Sequence, residues 1–147
     1  MDRTTAAILV VGVGGAAGAQ APINSVLGHS VGTWQAVFVN FALGLLILTA
    51  IVAVADRGFG GLGDIREAPW WALLGGACGV AIVAGSLVGV RSLGAAGVTA
   101  ALIAGQLTAS VVIDQFGLLG VERQSVSGAR LAGIVLLAAG VFLIVRE

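Results

Sequence analysis

Amides and hydroxyls set in otherwise apolar runs are the residues of this sequence that could do chemistry. Gln20 and Asn24 stand one helical turn apart in the run AAILVVGVGGAAGAQAPINSVL, and Pro22 between them has no N–H to give the carbonyl of Gly18. Two primary amides thus accompany a carbonyl that has lost its helical donor at a kink formed by Gly18 and Pro22. In hydrocarbon such groups need a partner or water, and interrupted backbone at depth is tolerated where it is buried in protein or lines a cavity. Two readings stay open: an amide bond between helices with a harmless kink, or contact with a solute or water.

Farther along, Thr99, Gln106, Ser110 and Asp114 recur at steps of seven, four and four, which sets them on one helical stripe. Gln106 is central in its run. A primary amide there offers two donors and an acceptor to an uncharged or zwitterionic solute without an ion's desolvation cost. Packing against another helix is the alternative, and for Asn40 it is the stronger of the two. Asp114 is the one acid that could enter an apolar segment, so a proton carrier would be Asp114, while Arg91 or Arg130 could instead pair with it at an interface. His29 reads as an exposed turn residue, Arg91 as a topology anchor, and Trp34, Trp70 and Trp71 as interfacial anchors. One His, one Cys and no Tyr leave little for acid–base or nucleophilic work, so no enzyme, cofactor or metal site is expected.

The elements that must position these groups are membrane helices. The 147 residues are 59% hydrophobic and 10% charged, with a mean hydropathy of +1.10, far from the roughly 25% charge of a soluble domain. All seven cations are Arg, balanced by seven acids, and no basic patch exists to hold nucleic acid. Cys78 alone can form no internal disulfide. The N-terminal apolar run is longer than a signal-peptide core and is read as a retained helix.

Between Arg3 and Asp56 the only ionisable side chain is His29, a stretch suited to two crossings with a turn at GHSVG, residues 28–32. The segment DRGFGGLGDIREAP, with five charges and four glycines, is the one extended polar connection. The whole chain, 1–147, is expected to be a single all-α transmembrane domain. Its five helices fall at 5–27, 33–55, 70–90, 93–115 and 128–145. With five spans, Arg3, Arg57, Arg66, Arg123 and Arg130 share one side against Arg91 and Arg146 on the other. That five-to-two bias favours a cytoplasmic N-terminus. Gly14 with Gly18, Gly75 with Gly79 and Gly85 with Gly89 make small-xxx-small faces, expected mainly to pack within the chain and otherwise at a dimer contact.

Several segments in order resemble the drug/metabolite transporter superfamily, and within it the half-size five-helix family long catalogued as a domain of unknown function. They are GAAGAQAPINSVL, NFALG, WWALLGGACGV, GQLTASVVIDQFGLLG and RLAGIVLLAAGVFLI. The resemblance implies a multi-pass bacterial inner-membrane secondary transporter in which two five-helix units, related by a pseudo-two-fold axis, enclose a central site. One chain would be half of that inverted-repeat arrangement, completed as an antiparallel homodimer of dual topology or with a paired paralogous chain. The small multidrug resistance proteins of the superfamily carry a glutamate in helix one where this chain has Gln20, so binding of lipophilic cations does not carry over.

The expectation is therefore a dimeric carrier in membrane lipid. It would move a small polar or zwitterionic solute past Gln20, Asn24, Asn40, Gln106 and Ser110 by alternating access, with Asp114 as the coupling group if buried. The rivals are a dimeric ion or small-solute channel and a non-transporting membrane assembly protein.

Overall fold

A backbone in lipid must satisfy its own hydrogen bonds, which drives long apolar runs into helix. The computed structural model is accordingly helical through nearly all of residues 2–55 and 58–146, the residues it describes. Asp56 and Arg57, two of the loop charges counted above, lie outside the described residues, as does the side chain of Arg3. Four apolar helices long enough to cross a bilayer occur among the described residues: α1 (Arg3–Val31), α2 (Thr33–Val54), α3 (Leu74–Phe116) and α4 (Gly128–Arg146).

The turn expected over residues 28–32 is much shorter. α1 continues through His29 and Ser30, whose Oγ donates to the Val26 carbonyl at 3.4 Å instead of shaping a turn. His29 is exposed, but in the last helical turn. The break is Gly32 alone, at φ 96° and ψ 156°, a conformation that suits only a residue without a Cβ. Pro22 lies inside α1, which continues as helix on both sides of it.

A second single-residue joint lies inside α3. At 43 residues, α3 would measure about 65 Å if straight, against a hydrocarbon core of about 30 Å. Gly94, at φ 67° and ψ 174°, interrupts it where the connection between the expected third and fourth helices was placed. The polar connection before α3 is also more ordered than a loop. Gly58–Glu67 form a 3-10 helix, and Pro69 precedes a further 3-10 turn, Trp70–Leu73, that leads into α3.

The chain divides into two compact units, Gln20–Arg91 and Met1–Ala19 with Ser92–Glu147. In the first, Ala36 and Val37 of α2 pack with Val83, Ala84 and Leu87 of α3, and Leu27 of α1 leans on them. Leu87 is wholly buried. A Cβ on Gly28 would come within 2.9 Å of the Leu87 Cδ2 atom, so any larger residue there would force the Leu87 side chain to shift. At the end of the same unit, an Arg91 guanidinium N–H donates to Thr33 Oγ1 at 3.4 Å. In the second unit, burial is confined mainly to Val98 and Ala100, next to Gly97, whose added Cβ would stand 3.0 Å from the Leu93 side chain.

The glycine pairs depart from expectation. A Cβ at Gly14, Gly18, Gly75 or Gly85 would meet nothing within 4 Å, whereas one at Gly79 would meet the Phe41 ring at 3.5 Å. The four open glycines therefore do not serve packing within their own units. Spacing reports which helical face is small, and that face can await another molecule as readily as a neighbouring helix.

Candidate functional site

In the Gln20–Arg91 unit, Gln20 of α1 and Asn40 of α2 line one cleft of about 380 Å³, with Phe41, Leu45, Leu48 and Val83 supplying most of the wall. Gly44, which has no side chain, completes the lining. The Asn40 Nδ2 is sealed from solvent and has no hydrogen-bond partner. An unpaired buried donor of this kind typically costs about 1–3 kcal/mol. Asn24, a turn beyond Gln20, does not line this cleft. It is buried, 5% exposed, beside the equally buried Ser25. Sequence spacing put Gln20 and Asn24 on one stripe, whereas burial divides them: Gln20 is exposed and Asn24 is enclosed.

In the other unit the stripe of α3 is divided as well. Thr99 lines an apolar cleft of about 540 Å³ together with Gly18, Ile103, Leu137, Gly140 and Val141. Ser110 and Asp114 line a different one, of about 480 Å³, with Leu107, Val111, Arg130 and Ile134. Gln106 is exposed and belongs to neither lining.

Asp114 lies in the last turn of α3, and its Oδ2 accepts from Arg130 Nη1 at 3.4 Å, one of the two pairings considered from sequence. The side chains are 39% exposed for Arg130 and 33% for Asp114, so solvent screens the pair. Around it the polar stretch before α4 is tied back onto the end of α3. Arg130 Nη2 donates to Gln124 Oε1 at 2.6 Å, and the Gln124 N–H donates to the Asp114 carbonyl at 2.8 Å. Arg123 Nε donates to the Gln115 carbonyl at 2.9 Å, while Gln115 Oε1 accepts from the Val126 N–H at 2.8 Å. Sequence reasoning missed Gln115 and Gln124. The signal available was a pair of glutamines flanking a loop whose backbone groups had no helix to satisfy them.

Two mainly apolar clefts thus result, one carrying uncharged amides and one bearing an ion pair and a hydroxyl. Both have what reversible binding needs: an apolar wall and a few fixed polar groups.

Comparison with known proteins agrees in kind. The family described as "Putative inner membrane exporter, YdcZ" matches residues 5–143. The chain is 30% identical over 113 residues to the inner membrane protein YdcZ of Escherichia coli (strain K12), an alignment covering 76% of this chain and 74% of the relative. No solved structure gives a significant match.

Proposed function

The chain belongs to the YdcZ family, within the drug/metabolite transporter superfamily, and is a multi-pass inner-membrane protein. From that premise we propose that it is a secondary transporter of a small polar or zwitterionic solute, working as a dimer by alternating access. The observation that supports this reading best is the cleft holding Gln20 and Asn40, where a buried amide donor is left without a partner. A structural amide would have been paired within the chain, as buried polar groups generally are.

Counting α3 as two spans divided at Gly94 gives five spans, and an odd number sends the two ends of the chain to opposite sides. A second copy inserted the other way, or a paralogous chain, would then supply the inverted half. The open faces at Gly14, Gly18, Gly75 and Gly85 suit such a partner, since small residues let helices approach closely. Asn24, Gln106 and Ser110 belong to the proposal as further solute contacts, each within its own unit. Asp114 is proposed as the coupling group, because a proton on its carboxylate would release Arg130 from the ion pair.

Proteoliposomes preloaded with labelled neutral and zwitterionic metabolites test the proposal by counterflow. Exchange that is saturable and lost in Gln20→Leu, with the dimer intact by crosslinking, is the expected result. A flux far above carrier turnover, with no exchange, would make the protein a channel. No flux with any solute, and no reaction of a polar thiol reagent with Asn40→Cys in a Cys78→Ser background, would leave an assembly protein.

A further inference from the structure

The cleft of the Gln20–Arg91 unit carries a statement about what it holds. We propose that its ligand is an uncharged molecule with a hydrogen-bond acceptor, such as a carbonyl or ether oxygen, on an otherwise apolar body. This narrows the carrier reading, replacing a polar or zwitterionic solute with an uncharged and largely apolar one, and rests on the cleft's being the solute's seat.

Charge comes first. Gln20 and Asn40 are the polar side chains of the lining, and no ionisable residue contributes to it. Gln20 lies eleven residues before Val31 and Asn40 seven after Thr33, so they stand about 16 Å and 10 Å along their helices from the Gly32 joint. Those depths approach the middle of a hydrocarbon core about 30 Å thick. An ion or zwitterion seated there would shed water without meeting a countercharge, which the membrane interior penalises heavily.

Polarity comes next. The Asn40 Nδ2 is a donor with nothing to donate to. A ligand bearing only donors would leave it so, whereas an acceptor completes it. The terminal torsion of an asparagine is broad, so the amide can turn its N–H toward a molecule in the cleft at little cost. Gln20, which is exposed and offers donors and an acceptor, can adapt to either kind of second group. The remaining wall of Phe41, Leu45, Leu48 and Val83 asks for apolar surface. At about 380 Å³ the space is at the small end of the roughly 300–1,000 Å³ typical of small-molecule sites.

Benzophenone is a suitable probe, being uncharged, with one carbonyl acceptor, no donor, two apolar rings and a photochemistry that marks its neighbours. In full-length protein reconstituted into nanodiscs, adducts should concentrate on residues 41–48 and on Val83. They should fall about tenfold in Asn40→Leu, which removes an unpaired donor and so leaves the fold intact. At matched membrane concentration, 4-benzoylbenzoate and (4-benzoylbenzyl)trimethylammonium should label the cleft at least tenfold less. Wild-type protein alone gives a second measurement, because diphenylmethane, which lacks the carbonyl, should compete at least tenfold less well than unlabelled benzophenone. Equal labelling of Asn40→Leu, equal labelling by either charged derivative, or equal competition by diphenylmethane would overturn the inference. So would adducts spread over exposed apolar positions in proportion to exposure, the pattern expected if acyl chains or a second copy fill the cleft. Labelling reads occupancy without flux. Adducts as expected with no counterflow would sink the carrier reading alone, and counterflow of a zwitterion with an unlabelled cleft would sink this inference alone.

Discussion

In the Gln20–Arg91 unit, polar groups at depth are amides set beside a packed cluster of Ala36, Val37, Val83, Ala84 and Leu87. In the other unit the paired polar groups are a partly exposed ion pair and its hydrogen-bonded loop at the end of α3, and burial involves little beyond Val98 and Ala100. Packing free energy and polar strain thus coincide in the first unit, while the second relies on charge and on hydrogen bonds at its edge. Rigid support around an unsatisfied amide is what a selective binding wall requires, since a floppy wall would let the donor find a partner within the protein. Loosely packed helices closed by a screened ion pair are, in contrast, suited to movement.

The contrast can be broken from the first side most severely. Leu87→Ala should cost about 2–5 kcal/mol, because the vacated volume lies in a site with no room to collapse. Leu136, which is exposed on α4, should change stability by less than about 0.5 kcal/mol when truncated in the same way. Denaturation in mixed micelles followed by circular dichroism measures both, and equal effects would erase the distinction between the units.

Asn40→Leu should move stability the other way, by about 1 kcal/mol in favour of the fold, since a buried donor without a partner is removed. The same variant should lose at least tenfold in counterflow. A variant that is less stable and still active would mean that Asn40 is paired in the working protein and serves the structure.

The ion pair gives a smaller change. Asp114→Asn should cost about 0.2–1 kcal/mol, less in high salt, as for other partly exposed pairs. If Asp114 is the coupling group, this variant keeps solute exchange and loses uptake driven by a proton gradient, so the two assays run side by side sharpen the assignment.

The smallest effect is at the start of α1. Asp2 Oδ1 accepts from the Thr5 N–H at 2.7 Å. Its carboxyl is held below the ordinary value of 3.8 by the Thr5 side chain and then by that backbone N–H. A carboxyl lowered in the folded state stabilises at pH values above its unfolded value, and loses that contribution as pH falls through the folded one. Fraying of the first turn, read from exchange of the Thr5 amide, should therefore increase only below about pH 3.8.

Much of the helical layout was legible because polar punctuation bounds the apolar runs. The last helix, expected at 128–145, is observed at Gly128–Arg146, and the second, expected at 33–55, at Thr33–Val54. The length of the first turn was not legible, because a serine that can bond its own helix looks the same in sequence as one that makes a turn. The Asp114–Arg130 pair could be anticipated from the scarcity of charges, but the bonds of Gln115 and Gln124 depend on where a loop folds back. Asn40 ranked as the weaker amide for a related reason. It has no polar residue one turn away on either side, and periodicity within one helix cannot reveal a cleft built with another.

The joints at Gly32 and Gly94 also bear on how such a chain is made. With a single residue between helices, neither joint offers an extended tether for a protease to clip. Epitopes, fusions and evolutionary embellishments are left with the 3-10 connection and the segment before α4. Insertions between spans are therefore easier to accommodate in those two places than at either joint.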